Sequence, residues 1–301
     1  MTGGLPNLLV AGVPKAGTGS IFAYLSQHPA ICPATEKEVG FFSPLFSGGT
    51  MPSLETYRGY FAHCSGQSYL MEATPGYCFG GERVLQAIKD VLGRPRILMI
   101  LRDPVDRLWS AYTFQRSWGR LAGTRTFEEY IAVCEDQRRQ GPDIIAGGAF
   151  NGLSIGFYGD YLKGWFKQFP DTMKVVFFDD LASGPKEVID DLCRWLSIDP
   201  GIAASFDYEV RNRTEHPRSR AMAEAMFAVK RIADNLLQRS PALRRAARKA
   251  YFSMNSGQPK EALRPQTKER VEKIYKQSNR VTAELLRAHG YDPLPLWLCS
   301  A

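Results

Sequence analysis

No stretch of this 301-residue sequence approaches the ~20 consecutive apolar residues needed to cross a bilayer; the run Ile97-Leu98-Met99-Ile100-Leu101 stops at five. The first residues, Met-Thr-Gly-Gly-Leu-Pro-Asn, offer neither a basic n-region nor an apolar h-region, so no secretory leader is expected. Membrane-spanning and Sec-secreted proteins are both disfavoured, and a cytoplasmic location is expected. Cysteine is sparse. The six (Cys32, Cys64, Cys78, Cys134, Cys193 and Cys299) are scattered and form no Cys-x-x-Cys. Four histidines show no zinc spacing. Reduced thiols are therefore expected, with no disulfide scaffold and no metal. Nor is the chain starved of apolar residues: 44% are hydrophobic and 23% charged, which excludes wholesale disorder. A chain of this length can bury about three quarters of its unfolded surface.

Charge of one sign is concentrated. The net charge is +7, and residues 211–250 hold eleven Lys/Arg against three Asp/Glu, leaving the remainder near −1. Such a segment can face nucleic acid, anionic lipid or an acidic small molecule. Met222, Met226, Val229, Ala233 and Leu236 share one helical face there, with Lys230, Arg231 and Arg239 around it. That pattern suits either packing on a core or peripheral contact with an anionic membrane.

Short apolar runs alternate with helical patterns. Leu8–Gly12, Tyr69–Met71, Arg96–Leu101 and Lys174–Phe178 read as strands. Residues 82–91, 104–118, 127–140, 159–169 and 185–196 read as helices. The alternation predicts an α/β fold, a three-layer P-loop-like arrangement with a central parallel sheet flanked by helices. Beyond about Pro200 the pattern becomes helical: basic helices over 218–250, a loop from Phe252 to Pro265, then an amphipathic helix over 266–289. The expected organisation is one domain over 1–301, with a core over about 5–200 and a helical extension over about 201–301. Ligands on such sheets sit beyond the strands' carboxyl ends. Lys15, Thr74 and Arg102 each follow a predicted strand, so they are expected along one edge.

The first strand runs into Val13-Pro14-Lys15-Ala16-Gly17-Thr18-Gly19-Ser20 and then a helix. A glycine-rich turn at a helix start favours anions through free N–H groups and the helix dipole. Gly12 and Gly17 have Walker A separation, but Thr18 stands where its lysine belongs and Gly19 where its magnesium-binding hydroxyl belongs. The cradle survives without its metal ligand. This argues against ATP or GTP hydrolysis and for a phosphate ester handled without magnesium.

Pro14-Lys15-Ala16-Gly17-Thr18-Gly19-Ser20 resembles the 5′-phosphosulfate loop of sulfotransferases that use 3′-phosphoadenosine 5′-phosphosulfate (PAPS). Leu101-Arg102-Asp103-Pro104-Val105-Asp106-Arg107-Leu108-Trp109-Ser110-Ala111-Tyr112 is similar to that family's 3′-phosphate motif. Arg102 and Ser110 lie about 12 Å apart along a helix axis, so this motif requires a bend at Asp103-Pro104. His28-Pro29 with Glu36-Lys37-Glu38-Val39-Gly40-Phe41-Phe42, and Glu72-Ala73-Thr74-Pro75-Gly76-Tyr77, resemble segments of the heparan sulfate branch and its bacterial relatives. Gly156-Phe157-Tyr158 to Trp165 and Tyr275 to Leu286 resemble later blocks. The likeness covers most of the chain and thins across 120–150 and 200–255.

The resemblance implies in-line sulfuryl transfer from PAPS to an acceptor, leaving 3′,5′-adenosine bisphosphate (PAP), with no metal. It implies Lys15 at the leaving oxygen, and Ala16, Gly17, Thr18, Gly19 and Ser20 around the 5′-phosphate. It places Arg102 and Ser110 at the 3′-phosphate, with Lys260 or Arg264 as a third cation and Tyr158 among the donor-binding residues. Glu38 is the implied base. Glu36, His28 and His63 are alternatives, and a surface Glu38 paired with Lys37 is the bland reading. Phe41, Phe42, Tyr60, Tyr77 and Tyr112 are candidates to line the acceptor site, with Phe41 and Phe42 better suited to the core. Ala73 stands where heparan-type enzymes usually carry Lys, and Gly40 where His or Gln is common; both point away from a heparan-like acceptor. The expected acceptor is a small molecule, a glycan or a lipid-linked metabolite. The competing readings are a magnesium-dependent P-loop nucleotide kinase and a basic nucleic-acid-binding protein.

Overall fold

Continuous apolar runs bounded by Gly, Pro or charged residues suit strands buried on both faces, and they form the sheet here. In a computed structural model, residues 3–121, 123–124, 126–141, 148–209, 216–217, 256–257 and 262–299 are described. The strands of the main sheet are β1 (Leu8–Gly12), β2 (Ile31–Pro33), β3 (Tyr69–Ala73), β4 (Arg96–Leu101) and β5 (Met173–Phe177). The helices before β5 are α1 (Thr18–Leu25), α2 (Leu54–Gly59), α3 (Gly81–Leu92), α4 (Pro104–Ser117), α5 (Phe127–Gln140), α6 (Gly152–Ile155) and α7 (Gly159–Gln168). After it come α8 (Phe178–Ser183), α9 (Pro185–Trp195), α10 (Pro265–Ala288) and α11 (Leu296–Cys299).

The strand order is β2-β3-β1-β4-β5, and every pairing in this sheet is parallel. All of β1 and Ile97–Leu101 of β4 are buried. Helices α1 and α9 pack together, as do α3 and α7, so the sheet is the flanked α/β core the alternation predicts. The neighbours of β1 are β3 on one side and β4 on the other. That is a switch point, where parallel sheets open a crevice beyond their carboxyl ends. Register pairs Val10 with Ala73 and Gly12 with Met99. The loops carrying Lys15, Thr74 and Arg102 therefore leave the same edge.

The chain forms two compact units, a division not drawn from the sequence. One comprises residues 1–107, 155–211 and 274–301 and holds the sheet; the other comprises 108–154 and 212–273. The second has its own aromatic core, in which Phe127 meets Trp109 at 5.0 Å and Tyr112 at 5.2 Å between ring centroids. Thr126 caps α5 by accepting from the Glu129 N–H at 3.2 Å, which satisfies one orphan donor of the first turn.

Two features differ from expectation. The three-residue β2 is too short to show a periodicity. Cys32, at its centre, is disulfide-bonded to Cys64, with Cα atoms 5.9 Å apart. This corrects the reading of six free thiols, since 32 residues of separation carry no pairing signal. Cys78, Cys134, Cys193 and Cys299 are free. No helix among the described residues is long and apolar enough to cross a membrane. The basic helices expected over 218–250 and Lys260 lie outside the described residues.

Gly12 ends β1 against its neighbours. A Cβ there would lie 2.6 Å from both Cys78 Cβ and Met99 Sδ. Gly12→Ala is expected to lower stability by about 1–3 kcal/mol through overpacking. Urea unfolding checks this, and an unchanged midpoint would refute it.

Candidate active site

The loop after β1 is shaped by two left-handed residues, Lys15 at φ 71° and Gly17 at φ 86°. Backbone of this kind gathers successive N–H groups into an anion-binding concavity. Gly17 also caps α1. A Cβ on Gly17 would sit 2.8 Å from Leu181 Cδ2 and 3.0 Å from Phe178 Cδ2, so both its φ and its surroundings call for glycine. Thr18 and Gly19 open the helix with N–H groups that have no intrahelical acceptor, while the Ser20 N–H donates to the Gly17 carbonyl at 2.9 Å. Ala16 and Thr18 are buried; Lys15, Gly19 and Ser20 are half-buried.

Arg102 ties this loop to the end of β4. Its Nη1 donates to the Lys15 carbonyl at 3.2 Å. Its guanidinium lies 4.3 Å from the Phe178 ring centroid, within cation–π range. The Arg102 carbonyl accepts from the Tyr158 hydroxyl at 2.6 Å. Tyr158 itself is fully buried, so it reaches the loop by propping Arg102. Arg102 Nε is buried without a hydrogen-bond partner, an arrangement that an acceptor oxygen would relieve. Asp103 Oδ1 accepts from the Val105 N–H at 2.8 Å, and Pro104 opens α4. Ser110 is half-buried on α4 and Arg264 exposed just before α10, both in the second unit.

Burial lowers the Lys15 pKa to about 8, and the Arg102 charge pushes the same way. The Glu38 charge partly restores it, and Lys37 opposes that. Burial also lowers the Arg102 pKa, against the raising influence of Asp106. The edge thus holds desolvated positive charge, and an anion there would favour the protonated lysine.

Glu38 lies on the segment that follows β2. It is left-handed at φ 65°, and its carboxylate is 63% exposed and 2.8 Å from Lys37 Nζ. The Lys37 pairing weighed from sequence is therefore present, yet the Glu38 charge still acts on Lys15. Glu36 is exposed. His28 is buried: its Nδ1 accepts from the Ala30 N–H at 3.1 Å and its Nε2 faces the Asp199 carbonyl at 3.0 Å. Those bonds assign the proton to Nε2 and give His28 a structural role. His63 Nε2 lies 3.3 Å from Cys32 Sγ. Phe41, Phe42, Tyr77 and Tyr112 are all buried in the core, leaving Tyr60 half-buried.

Sequence reasoning missed two supports. Phe178 underlies both Gly17 and Arg102. Glu72 is wholly buried and accepts hydroxyl hydrogen bonds from Tyr57, Tyr77 and Thr74. Burial pushes its pKa up while those hydroxyls hold it down.

A strand-to-helix anion loop, an arginine tied to it and a nearby carboxylate are parts suited to group transfer from a phosphorylated donor. The chain matches the profile of the sulfotransferase domain over residues 5–284. It belongs to that family. It is 30% identical over 206 residues to human bifunctional heparan sulfate N-deacetylase/N-sulfotransferase 2, covering 65% of this chain and 22% of that protein. Human heparan sulfate glucosamine 3-O-sulfotransferase 5 is 26% identical over 200 residues, covering 66% and 55%. Among solved structures, a sulfotransferase from Alicyclobacillus acidocaldarius superposes with TM-score 0.59 at 29% identity, covering 75% of this chain and 92% of that one. The chain spans about a quarter of the length of the first curated relatives.

Lys15 is expected to titrate near pH 8 in the free protein, charged below and neutral above. Glu38→Gln should move the midpoint down and Arg102→Ala up, because each removes the stated influence. Carbon-13 NMR of the lysine side chain reads the midpoint. A wild-type value near the ordinary ~10.4 would refute the desolvated site.

Proposed function

We propose that the chain transfers the sulfuryl group of PAPS to an acceptor hydroxyl, and secondarily to an amine, of a carbohydrate, glycolipid or other small molecule. The observation that carries this reading is the tether from Arg102 to the Lys15 carbonyl. It joins the two motifs whose resemblance points to the two phosphate ends of one nucleotide. The unpartnered Arg102 Nε and the lowered Lys15 pKa fit a doubly phosphorylated ligand.

PAPS, when bound, supplies an activated sulfuryl group. The protein supplies binding, charge and a proton acceptor. The N–H groups of Gly17, Thr18 and Gly19 and the Ser20 hydroxyl hold the 5′-phosphate. Arg102 presents its fork to the 3′-phosphate, with Ser110 adding a hydroxyl and Lys260 or Arg264 a further charge. Lys15, protonated, stabilises the leaving oxygen as charge develops there. Glu38 takes the acceptor's proton, and its exposure leaves it open to an acceptor arriving from solvent. No step calls on a metal.

Two relatives carry heparan sulfate in their names, one as an N-sulfotransferase and one as a 3-O-sulfotransferase, which supports a carbohydrate acceptor. Ala73 is fully buried and offers no charge to an acidic polysaccharide. Lys37, paired with Glu38, and Lys15 are the local cations that remain. These departures favour an acceptor less acidic than heparan. Cytoplasmic location and peripheral contact of residues 211–250 with anionic lipid stay part of the proposal; flotation with anionic vesicles tests the latter, and a wholly soluble protein rejects it.

Metal-free calorimetric titration with PAP tests the donor site. Arg102→Ala is expected to weaken binding about 10- to 150-fold, the loss of a charged hydrogen bond of ~1.5–3 kcal/mol. No PAP binding by wild type, or tighter binding of magnesium-ATP, would overturn the reading. Lys15→Ala is expected to lower kcat by about 10²–10³. Glu38→Gln should bind PAP normally yet abolish most transfer, read by acceptor-dependent release of PAP; full activity in that variant would remove Glu38 as the base.

A further inference from the structure

Among the described residues, Glu72 is the one acidic side chain with no exposed surface. An unpaired buried carboxylate is costly unless its lone pairs are satisfied. Here three hydroxyls satisfy them, and two of those hydroxyls do more than that. Thr74 Oγ1 accepts from the Gly40 N–H at 3.1 Å, so its single proton goes to Glu72 Oε1 at 2.7 Å. The Tyr77 hydroxyl accepts from the Phe42 N–H at 3.3 Å and donates to the same oxygen at 2.7 Å. Tyr57 donates to the other oxygen and bonds no amide of that segment.

The amides of Glu38, Gly40 and Phe42 thus run in alternation along the end of β3. Glu38 N–H donates to the Ala73 carbonyl at 2.9 Å, returning the chain to β3 after residues 35–37 loop away from the Ala34 N–H bond to the Met71 carbonyl at 2.9 Å. Past Ala73 the strand has ended, and side-chain hydroxyls take over as acceptors. They flank two left-handed residues, Glu38 at φ 65° and Gly40 at φ 68°. A non-glycine residue in that region costs on the order of 1–2 kcal/mol and persists only where its surroundings hold it.

We propose that Glu72 is a positioning residue: by orienting the Thr74 and Tyr77 hydroxyls as acceptors for Gly40 and Phe42, it locks the backbone of residues 38–42 and with it the direction of the Glu38 carboxylate. The consequence for turnover rests on Glu38 being the base; the lock itself does not.

Four variants of the full chain test this: Thr74→Val, Tyr77→Phe, Glu72→Gln and Tyr57→Phe. The readouts are amide hydrogen exchange by NMR, kcat against donor KM, PAP affinity and thermal stability. Thr74→Val should speed exchange at Gly40, and Tyr77→Phe at Phe42, by about five- to tenfold relative to the rest of the sheet, the loss of one hydrogen bond. Glu72→Gln should affect both. In Thr74→Val and Tyr77→Phe, kcat should fall several-fold with donor KM and PAP affinity unchanged. Tyr57→Phe should lower stability without selective exchange at either amide. The proposal is overturned if exchange at Gly40 and Phe42 changes no more in Thr74→Val and Tyr77→Phe than in Tyr57→Phe. It is equally overturned if kcat across the four variants merely follows melting temperature. Selective exchange alongside full activity in Glu38→Gln would sink Glu38 as the base and still support the lock.

Discussion

The hydrogen bond from Arg102 to the Lys15 carbonyl is the contact on which the site depends. A parallel sheet delivers the loops after β1 and β4 to one edge, but it leaves each loop free to choose its own conformation. The guanidinium removes that freedom. It is held from below by Phe178 and from behind by Tyr158 through the Arg102 backbone. Only glycine then fits at position 17, because Phe178 and Leu181 close over the place a side chain would need. One aromatic ring therefore fixes both the arginine and the glycine of the anion loop. The cost is desolvated positive charge, visible in the lowered Lys15 pKa and the unpartnered Arg102 Nε. A preorganised electropositive site of this kind spends folding stability to avoid reorganisation when charge develops during reaction.

A second device sits across the same edge. The segment from Ala34 to Phe42 starts as an extension of β2 and ends as a strained loop whose amides lean on hydroxyls. Glu72 supplies the direction of those hydroxyls. Its burial would be unfavourable alone, and the three donors make it tolerable. Lys37 pairs with Glu38 beside the small, buried Ala73. Lys15 and Lys37 share one exposed carboxylate.

Much of this was legible before any coordinates. β1, β3, β4 and β5 and the helices over 104–117, 127–140, 159–168, 185–195 and 265–288 fall within one or two residues of their sequence patterns, because apolar periodicity and Pro or Gly punctuation act locally. The loop was readable through Gly12, Gly17 and the displaced lysine. By contrast, β2 was too short to carry a period. The Cys32–Cys64 bond joins residues that only the β2–β3 pairing and the turn after α2 bring near. Tyr77 looked like a site aromatic and is core, since its hydroxyl is used by Glu72 and Phe42. The division into two units groups segments distant in the sequence, which composition does not encode.

The sequence by itself determined the class of fold and the strand, glycine turn and helix that carry Lys15, with Arg102 at the end of β4. Those properties come from residue type and short-range order: a glycine that accepts positive φ, an apolar run that must be buried, a proline that starts a helix. The tertiary structure alone decided which side chains support them. Phe178 under Arg102, Tyr158 behind it, and Glu72 at the centre of three hydroxyls are separated from their partners by many residues or by a change of strand. Such partnerships depend on where the sheet places each strand end, and hydrogen-bond direction emerges only once donors and acceptors face one another within about 3 Å.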